Sequence, residues 1–295
     1  MTASRWHRLW LAVLLGSVPV LVTGCLSTVS GQGSPFLGGT EQPVEAFEQV
    51  QPPELGTCLD TVRGGTGPLG PPMTLNCSEP HGGEVAKVVE VPDALDGSYP
   101  TDDDLSSDAW GTLLYSREGC GGFQLPNTYL GAREQDNLLV DAYAYLPKKG
   151  AWDAGARWLA CVVEYRTGFA ENANAPGRMA EAMRGSDAAA YRECWFGPET
   201  IYDVVPCSQP HEAEPIGDNV PAEPGTPYPS DPLSRRPFVD ECTNQVLDYL
   251  EGALPDGYAA GIYLPRDEEW AQYPAADCVI LDSGGRRTSG SAVDA

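Results

Sequence analysis

Two histidines end the same short motif. The motif Cys-Ser-x-Pro-His occurs at residues 77–81 and again at 207–211, ending in His81 and His211. An imidazole close to carboxylates can serve as a general base, and cysteine with histidine can ligate a metal. One histidine per motif makes a weak metal site, and a ligating cysteine must be a thiolate. We expect both histidines to stabilise Pro-His turns. Partner contact, base catalysis and metal ligation are the alternatives.

Two tryptophans also occupy matching positions. Trp152 follows the proline of the Tyr-Leu-Pro segment 145–147 by five residues, and Trp270 follows that of 263–265 by five. Exposed rings of this kind stack on sugars or peptides, whereas matched tryptophans more often lie in a core. The candidate contact residues are His81, His211, Trp152 and Trp270.

Known catalytic motifs are missing from the sequence. It contains no Gly-x-Ser-x-Gly, His-Glu-x-x-His, phosphate-binding loop or Ser-x-x-Lys. The aspartates at 102–104 and 108 lack the spacing of a calcium loop and suit the solvated start of a helix. We therefore assign no catalytic residue, no cofactor and no metal ligand, and we expect the protein not to be an enzyme.

The N-terminal segment predicts export and lipidation. Arg5 and Arg8 precede an almost wholly apolar run over 9–22, which is short for a membrane span and typical of a signal peptide. The run ends in Val-Thr-Gly-Cys, a lipoprotein cleavage box that places the lipid on Cys25. We expect a protein anchored to the cell membrane through this lipid, on its extracytoplasmic face.

The cysteine count agrees with an oxidising compartment. The chain has nine cysteines, so that eight are left once Cys25 is assigned to the lipid. An even number in an exported chain indicates disulfides rather than free thiols. The eight predicted disulfide cysteines are Cys58, Cys77, Cys120, Cys161, Cys194, Cys207, Cys242 and Cys278.

The charge of the chain excludes one class of partner. The chain has 18 basic and 42 acidic residues, which gives a formal net charge of −24. Such a chain is repelled by nucleic acid and by anionic lipid head groups. We therefore expect no nucleic-acid partner, and attachment to the membrane only through the lipid.

The Cys-Ser-x-Pro-His motif, the Tyr-Leu-Pro segment with its tryptophan, and four cysteines each occur twice in the same order. This order indicates a tandem repeat. The matched cysteines are Cys58 with Cys194, Cys77 with Cys207, Cys120 with Cys242 and Cys161 with Cys278. The predicted segments are a signal peptide over 1–24, a flexible tether over 25–52, copy 1 over 53–168, a partly helical linker over 169–189, copy 2 over 190–283 and a disordered tail over 284–295.

Each copy is expected to be a small α+β domain with an antiparallel sheet, one main helix and two disulfides. The residue types predict strands over 85–91, 138–146 and 278–282, and a helix from Thr101 toward Cys120. This helix, and its counterpart in copy 2, would carry the third cysteine of each copy on a buried face. Four cysteines allow three pairings. We favour first with second and third with fourth, and the other pairings stay open.

The combined pattern resembles the septum-formation domain family. It joins Cys-Ser-x-Pro-His-x-x-Glu, residues 77–84, to Tyr-Pro, a helix cysteine, Leu-Pro-x4-Trp and the Gly-x-Arg of 155–157. Copy 2 departs from it, because Pro215 replaces the usual strand valine and Gly-x-Arg is missing near Trp270. The resemblance implies an exported, membrane-anchored actinobacterial protein with a role in septum formation or envelope growth, and it implies no enzymatic activity.

The leading hypothesis is a non-enzymatic, lipid-anchored cell-envelope protein that acts as a binding or adaptor module in septum formation or envelope maintenance. Its partner would be an envelope protein or a cell-wall polymer. One alternative is an envelope-modifying enzyme that uses His81 or His211 as general base. A second alternative is a lipoprotein that binds a metal or another small ligand.

Overall fold

The computed structural model describes residues 47–60, 73–122, 124–166, 174–197 and 203–294. The predicted signal peptide, the lipidation site Cys25 and most of the predicted tether lie outside the described residues. Within the described ranges, no helix combines the length and apolar character needed to cross a bilayer. The fold is α+β, as the sequence predicts, with two antiparallel sheets and several helices.

The two sheets have five strands each and the same strand order. The strands are β1 (Cys58–Asp60), β2 (Met73–Leu75), β3 (Gly83–Glu90), β4 (Val140–Tyr145), β5 (Trp158–Tyr165), β6 (Glu193–Phe196), β7 (Asp203–Pro206), β8 (Ala213–Pro221), β9 (Tyr258–Tyr263) and β10 (Ala275–Asp282). The first sheet has the order β2-β1-β3-β5-β4 and the second β7-β6-β8-β10-β9. The strands predicted over 85–91, 138–146 and 278–282 are confirmed as β3, β4 and β10, with shifted ends.

The helices differ between the two halves of the chain. They are α1 (Asp102–Leu105), α2 (Asp108–Tyr115), α3 (Gln124–Leu130), α4 (Lys149–Asp153), α5 (Ala188–Tyr191), α6 (Pro232–Tyr249) and α7 (Asp267–Trp270). Short 3-10 turns cover Asp93–Leu95, Ala182–Arg184 and Ala292–Asp294. The expected single main helix is present in the second half as α6, whereas the first half has several short helices.

The helix predicted from Thr101 to Cys120 is wrong in its length. Thr101 caps α1 as expected, and its Oγ1 accepts from the Asp104 N–H. Ser106 and Ser107 then donate their hydroxyls back to backbone carbonyls of α1, which competes with helix continuation. Cys120 lies beyond α2 in a turn that begins after Tyr115.

The second half places its third cysteine as predicted. Phe238, Cys242, Val246 and Tyr249 are buried along one face of α6, at steps of three and four residues. Asp231 caps this helix, because its Oδ1 accepts from the backbone N–H groups of Leu233 and Ser234. The face packs on β8, β9 and β10, so that α6 closes one side of the second sheet.

Four disulfides tie strands to their neighbours. The pairs are Cys58–Cys77, Cys120–Cys161, Cys194–Cys207 and Cys242–Cys278. This is the pairing that the sequence favours, first with second and third with fourth. Their Cα–Cα distances of 4.9–5.3 Å fall in the usual disulfide range. Disulfides supply stability that small cores with long loops lack.

Residues from three segments outside the two predicted copies pack against the fold. Phe47, at the end of the predicted tether, is 2 % exposed and packs against Tyr145 and Trp158. Met179, in the predicted linker, is fully buried. The predicted disordered tail over 284–295 is corrected as well, because Ala292 is 2 % exposed and its N–H donates to a buried carboxylate. Apolar side chains and backbone hydrogen bonds hold all three in place.

A buried ion pair joins the first half of the chain to the second. Arg192, just before β6, donates from Nη1 to Asp136 Oδ1 at 2.7 Å. The Tyr249 hydroxyl, at the end of α6, donates to the same carboxylate oxygen at 2.6 Å. Arg133 donates to the Tyr249 carbonyl oxygen at 2.6 Å. Backbone bonds between 137–139 and 191–193 continue the contact, so the two sheets are fixed relative to each other.

We expect Arg192→Ala to lower the free energy of unfolding by roughly 3–5 kcal/mol, because it leaves the Asp136 carboxylate buried and uncompensated. The matched control is Arg184→Ala, which breaks an exposed pair with Glu181 whose side chains are 71 % and 57 % accessible. That change should cost at most about 1 kcal/mol. Urea denaturation followed by tryptophan fluorescence measures both. Equal effects of the two substitutions would contradict the role given to the buried pair.

Candidate functional site

His81 lies inside the fold, against the start of β3. It is 1 % exposed, and both ring nitrogens face oxygen acceptors. Nδ1 is 2.9 Å from the Glu79 carbonyl oxygen and Nε2 is 3.0 Å from Glu84 Oε1. Both contacts are hydrogen bonds only when both nitrogens carry a proton, so the geometry favours the imidazolium.

Glu84 is the centre of this arrangement and is fully buried. Its carboxylate accepts from the Tyr129 hydroxyl at 2.6 Å and from the Met179 backbone N–H at 2.8 Å, in addition to His81. Burial opposes ionisation of Glu84, but these hydrogen bonds together hold its pKa below the ordinary value. The hydrogen bond with Glu84 raises the pKa of His81 more than burial lowers it.

The second half contains the same arrangement with different chemistry. His211 is 2 % exposed, and its Nδ1 is 2.9 Å from the Gln209 carbonyl oxygen. Its Nε2 faces Thr288 Oγ1 at 3.1 Å rather than a carboxylate. A hydroxyl can donate to a neutral ring, so no second proton is needed. Burial lowers the pKa of His211, which leaves it neutral where His81 is charged.

Each buried glutamate fastens a segment that returns to the sheet. Glu214 accepts from the Ser291 hydroxyl at 2.5 Å and from the Ala292 N–H at 2.7 Å, as Glu84 accepts from the Met179 N–H. His81 forms an isolated bridge with Ala175, and His211 forms one with Thr288. We call each His-x-x-Glu motif with its return segment a latch: latch 1 at 81–84 with 174–179, and latch 2 at 211–214 with 286–292. The latches hold the ends of both halves in place.

The two tryptophans are core residues in the structure. Trp152 and Trp270 are 1 % and 2 % exposed. Each indole N–H donates to a loop carbonyl, that of Gly97 in the first half and that of Thr226 in the second. All four candidate contact residues, the two histidines included, therefore lie inside the fold, where a partner would reach them only after a rearrangement.

A groove on the first half, beside its contact with the second half, offers the accessible surface instead. It has a volume of about 440 Å³ and continues into a wider depression of about 1260 Å³. The edge strand β4 borders it, and Gly217 of β8 is the lining residue that the second half contributes to its narrower part. A Cβ on Gly217 would collide with the Gln135 carbonyl oxygen, and its φ of +74° also favours glycine. The groove depends on this close approach of the two halves.

The lining of the groove combines aromatic, amide and charged groups. Tyr115 is 70 % exposed and Tyr143 is 37 % exposed. Arg166 donates from Nη2 to Glu193 Oε2 at 3.2 Å, and its Nε lies 3.5 Å from Asp141 Oδ2. The amides are those of Asn127, Gln135 and Asn137. Rings beside fixed polar groups are typical of recognition surfaces.

The sequence identifies some residues of the latches but not the residues that surround them or line the groove. The histidines are identified by their repeated motif, and the His-x-x-Glu spacing points to Glu84. No local pattern identifies Tyr129 or Arg166, because their partners are 45 and 27 residues away along the chain. Only the tertiary structure brings these groups together.

The fold and the two latches define a disulfide-bonded α+β protein with two sheets of matching strand order. The family model described as Septum formation matches residues 115–273, more than half of the chain. The protein therefore belongs to the septum-formation family. The match is a single interval that runs through both halves, rather than one interval per predicted copy. No curated protein and no solved structure matches the chain significantly.

The two latch histidines should titrate on opposite sides of the ordinary value of about 6.5. His81 should lose its proton above that pH, because Glu84 holds it, and His211 below, because burial disfavours its charge. Proton NMR of the ring protons measures both, and the variants His81→Gln and His211→Gln assign the signals. Titration of both rings on the same side would contradict the assignment.

The pH dependence of stability follows from the same shifts. The raised pKa of His81 contributes stability that is complete below about 6.5 and is lost as pH rises through the folded value. The lowered pKa of Glu84 contributes above about 4.5 and is lost as pH falls through its folded value. The lowered pKa of His211 contributes above about 6.5 and is lost on acidification. Acidification from pH 8 to 6 should thus strengthen latch 1 and weaken latch 2.

Proposed function

We propose that this protein is a non-enzymatic, lipid-anchored adaptor that holds a protein partner in its groove during septum formation. The observation that carries the proposal is the match of more than half of the chain to the septum-formation family. The lipid anchor rests on the cleavage box that ends in Cys25. An anchor on the extracytoplasmic face would keep the groove close to the growing envelope, within reach of the proteins that build it.

The occupied histidines support binding rather than catalysis. A general base needs a nitrogen or oxygen that reaches the substrate. The side chains of His81 and Glu84 are 0 % accessible, and both ring nitrogens of His81 already have partners. His211 has the Gln209 carbonyl oxygen and the Thr288 hydroxyl beside its two nitrogens. Neither ring offers an accessible nitrogen to a substrate.

The protein also arose, we propose, by tandem duplication of one domain. The identical strand orders, the four disulfides at matched positions and the two latches support this history. The first copy supplies most of the groove lining, and the second copy contributes Gly217 and Asp218.

The test compares two exposed tyrosines. Tyr115 lies in the groove, whereas Tyr273 is 60 % exposed and is not part of the groove lining. We expect Tyr115→Ala to lose partners that proximity labelling of the lipidated protein recovers from growing cells, and to lose enrichment at septa. Loss of a buried aromatic contact typically weakens a complex by about 2 kcal/mol or more. Tyr273→Ala should leave both readouts unchanged.

Three outcomes would overturn parts of this proposal. If both variants recovered the same partners in proximity labelling, the groove would not be the contact surface. Diffuse localisation of the unaltered protein, with normal septa in a deletion strain, would remove the division role. Binding to isolated cell wall with no protein partner recovered would replace the adaptor with a polymer-binding protein.

A further inference from the structure

Latch 1 and the Cys58–Cys77 disulfide beside it together hold a set of zinc-type ligands. One ligand atom each from Cys58, His81 and Glu84 lie within 4.8 Å of one another, and all three residues are buried. Cys77 Sγ is bonded to Cys58 Sγ. Two thiolates, an imidazole and a carboxylate form a donor set that suits tetrahedral Zn²⁺. The disulfide withholds the two thiolates, so the set is complete only after reduction.

The groups around these ligands are already placed as outer support for a metal. His81 Nδ1 faces the Glu79 carbonyl oxygen at 2.9 Å, the kind of contact that orients a ligating imidazole. The Tyr129 hydroxyl holds Glu84 Oε2 at 2.6 Å in the same way. His81 Nε2 and Glu84 Oε1 are 3.0 Å apart, and zinc places its ligand atoms roughly 3.3–3.8 Å apart. A metal could replace the proton between them with little movement.

The Cys58–Cys77 disulfide is also the most accessible of the four. Of the eight cysteines that the structure pairs, Cys77 alone is partly exposed. Arg178 Nη1 lies 2.8 Å from Cys77 Sγ and 3.5 Å from Cys58 Sγ. The guanidinium is held there by the Gly56 carbonyl oxygen at 2.9 Å, and a Cβ on Gly56 would lie 2.8 Å from Arg178 Nη2. A cation beside the sulfurs stabilises thiolates, which favours opening by exchange.

Latch 2 provides a contrast within the same chain. The Cys194–Cys207 disulfide has the matching position, but both of its cysteines are fully buried. Ser291 donates to Glu214 there, whereas Arg178 lies 3.7 Å from Glu84 in latch 1. His211 faces a threonine hydroxyl instead of a carboxylate. The partly exposed cysteine, the cation and the close ligand set thus occur together at latch 1.

We propose that the Cys58–Cys77 disulfide is opened by a dithiol reductant and that the freed thiolates, with His81 and Glu84, bind one Zn²⁺ ion. A thiolate of the reductant attacks Sγ of the partly exposed Cys77, and Cys58 leaves as a thiolate. The second thiol of the reductant then displaces Cys77, so the reductant becomes a disulfide and two electrons pass to the cysteines. Zinc binds both thiolates, and the protons released from the thiols and from His81 pass to solvent.

The local geometry keeps the site together after reduction. The strands β1 and β2 pair with Cys58 opposite Leu75, so the two thiols remain neighbours without their covalent bond. Charge also balances, because two thiolates and one carboxylate offset Zn²⁺ together with the Arg178 guanidinium. The site is separate from the groove, so its test does not depend on the proposed partner.

The redox half of the proposal is tested on the full chain carrying Cys25→Ser, so that every counted thiol comes from a disulfide. Dithiothreitol is added stepwise at pH 7, and the freed cysteines are alkylated and located by mass spectrometry. We expect Cys58 and Cys77 to be labelled before all others. Arg178→Ser, which copies the residue type at Ser291, should slow their release roughly tenfold. Release of Cys194 and Cys207 first, or of all four pairs together, would overturn the proposal.

The metal half uses Co²⁺ as the spectroscopic probe on the partly reduced protein, after the reductant has been removed under nitrogen. We expect thiolate-to-cobalt charge transfer and tetrahedral ligand-field bands at one equivalent, and their loss when Zn²⁺ is added. His81→Gln should weaken cobalt binding at least about tenfold, and His211→Gln should leave it unchanged. Native mass spectrometry of the unaltered chain should find one zinc after reduction and none before. Absent bands, unchanged binding in His81→Gln, or zinc on the oxidised chain would overturn the site.

Discussion

The buried carboxylate of Glu84 is the constraint on which much of this structure depends. An ionised carboxylate inside a protein is stable only when hydrogen-bond donors surround it. Glu84 obtains them from the adjacent His81, from Tyr129 on α3 and from the backbone of Met179, which is 95 residues away. Satisfying one charge thus fixes a helix and a return segment against β3. Glu214 imposes the same requirement on the last described residues of the chain, which explains why a tail of small polar residues is ordered.

The two latches show how one architecture supports different electrostatics. Latch 1 has a charged pair, His81 with Glu84, and a nearby guanidinium, whereas latch 2 has a neutral ring beside a hydroxyl. The sheets around them have the same strand order. A fold can therefore stay constant while its buried polar groups diverge, provided that each carboxylate keeps its donors. This divergence gives the first half a close ligand set that is not found among the described residues of the second half.

The position of the two halves carries the functional argument. The pair Arg192–Asp136, with the Tyr249 hydroxyl, holds the sheets together, and the groove opens beside this contact. A rigid groove suits recognition, because less ordering entropy is lost on binding. In the oxidised protein both buried histidines have hydrogen-bonding partners on their two ring nitrogens. Membership of the septum-formation family and the geometry of the groove are the observations that support the proposed adaptor role.

The sequence by itself determined the α+β class and the main strands, because the β-branched runs are local signals. It favoured the cysteine pairing that the structure shows, but the other pairings stayed open until the geometry was known. It also singled out His81 and His211. It could not place Cys120, because serine side chains that interrupt the helix look like ordinary surface residues until their hydrogen bonds are seen. The tertiary structure alone decided that the four candidate contact residues are all buried and that a groove opens beside the contact between the halves. Burial, charge pairing and cavities arise from residues far apart in the chain, and sequence spacing does not record those distances.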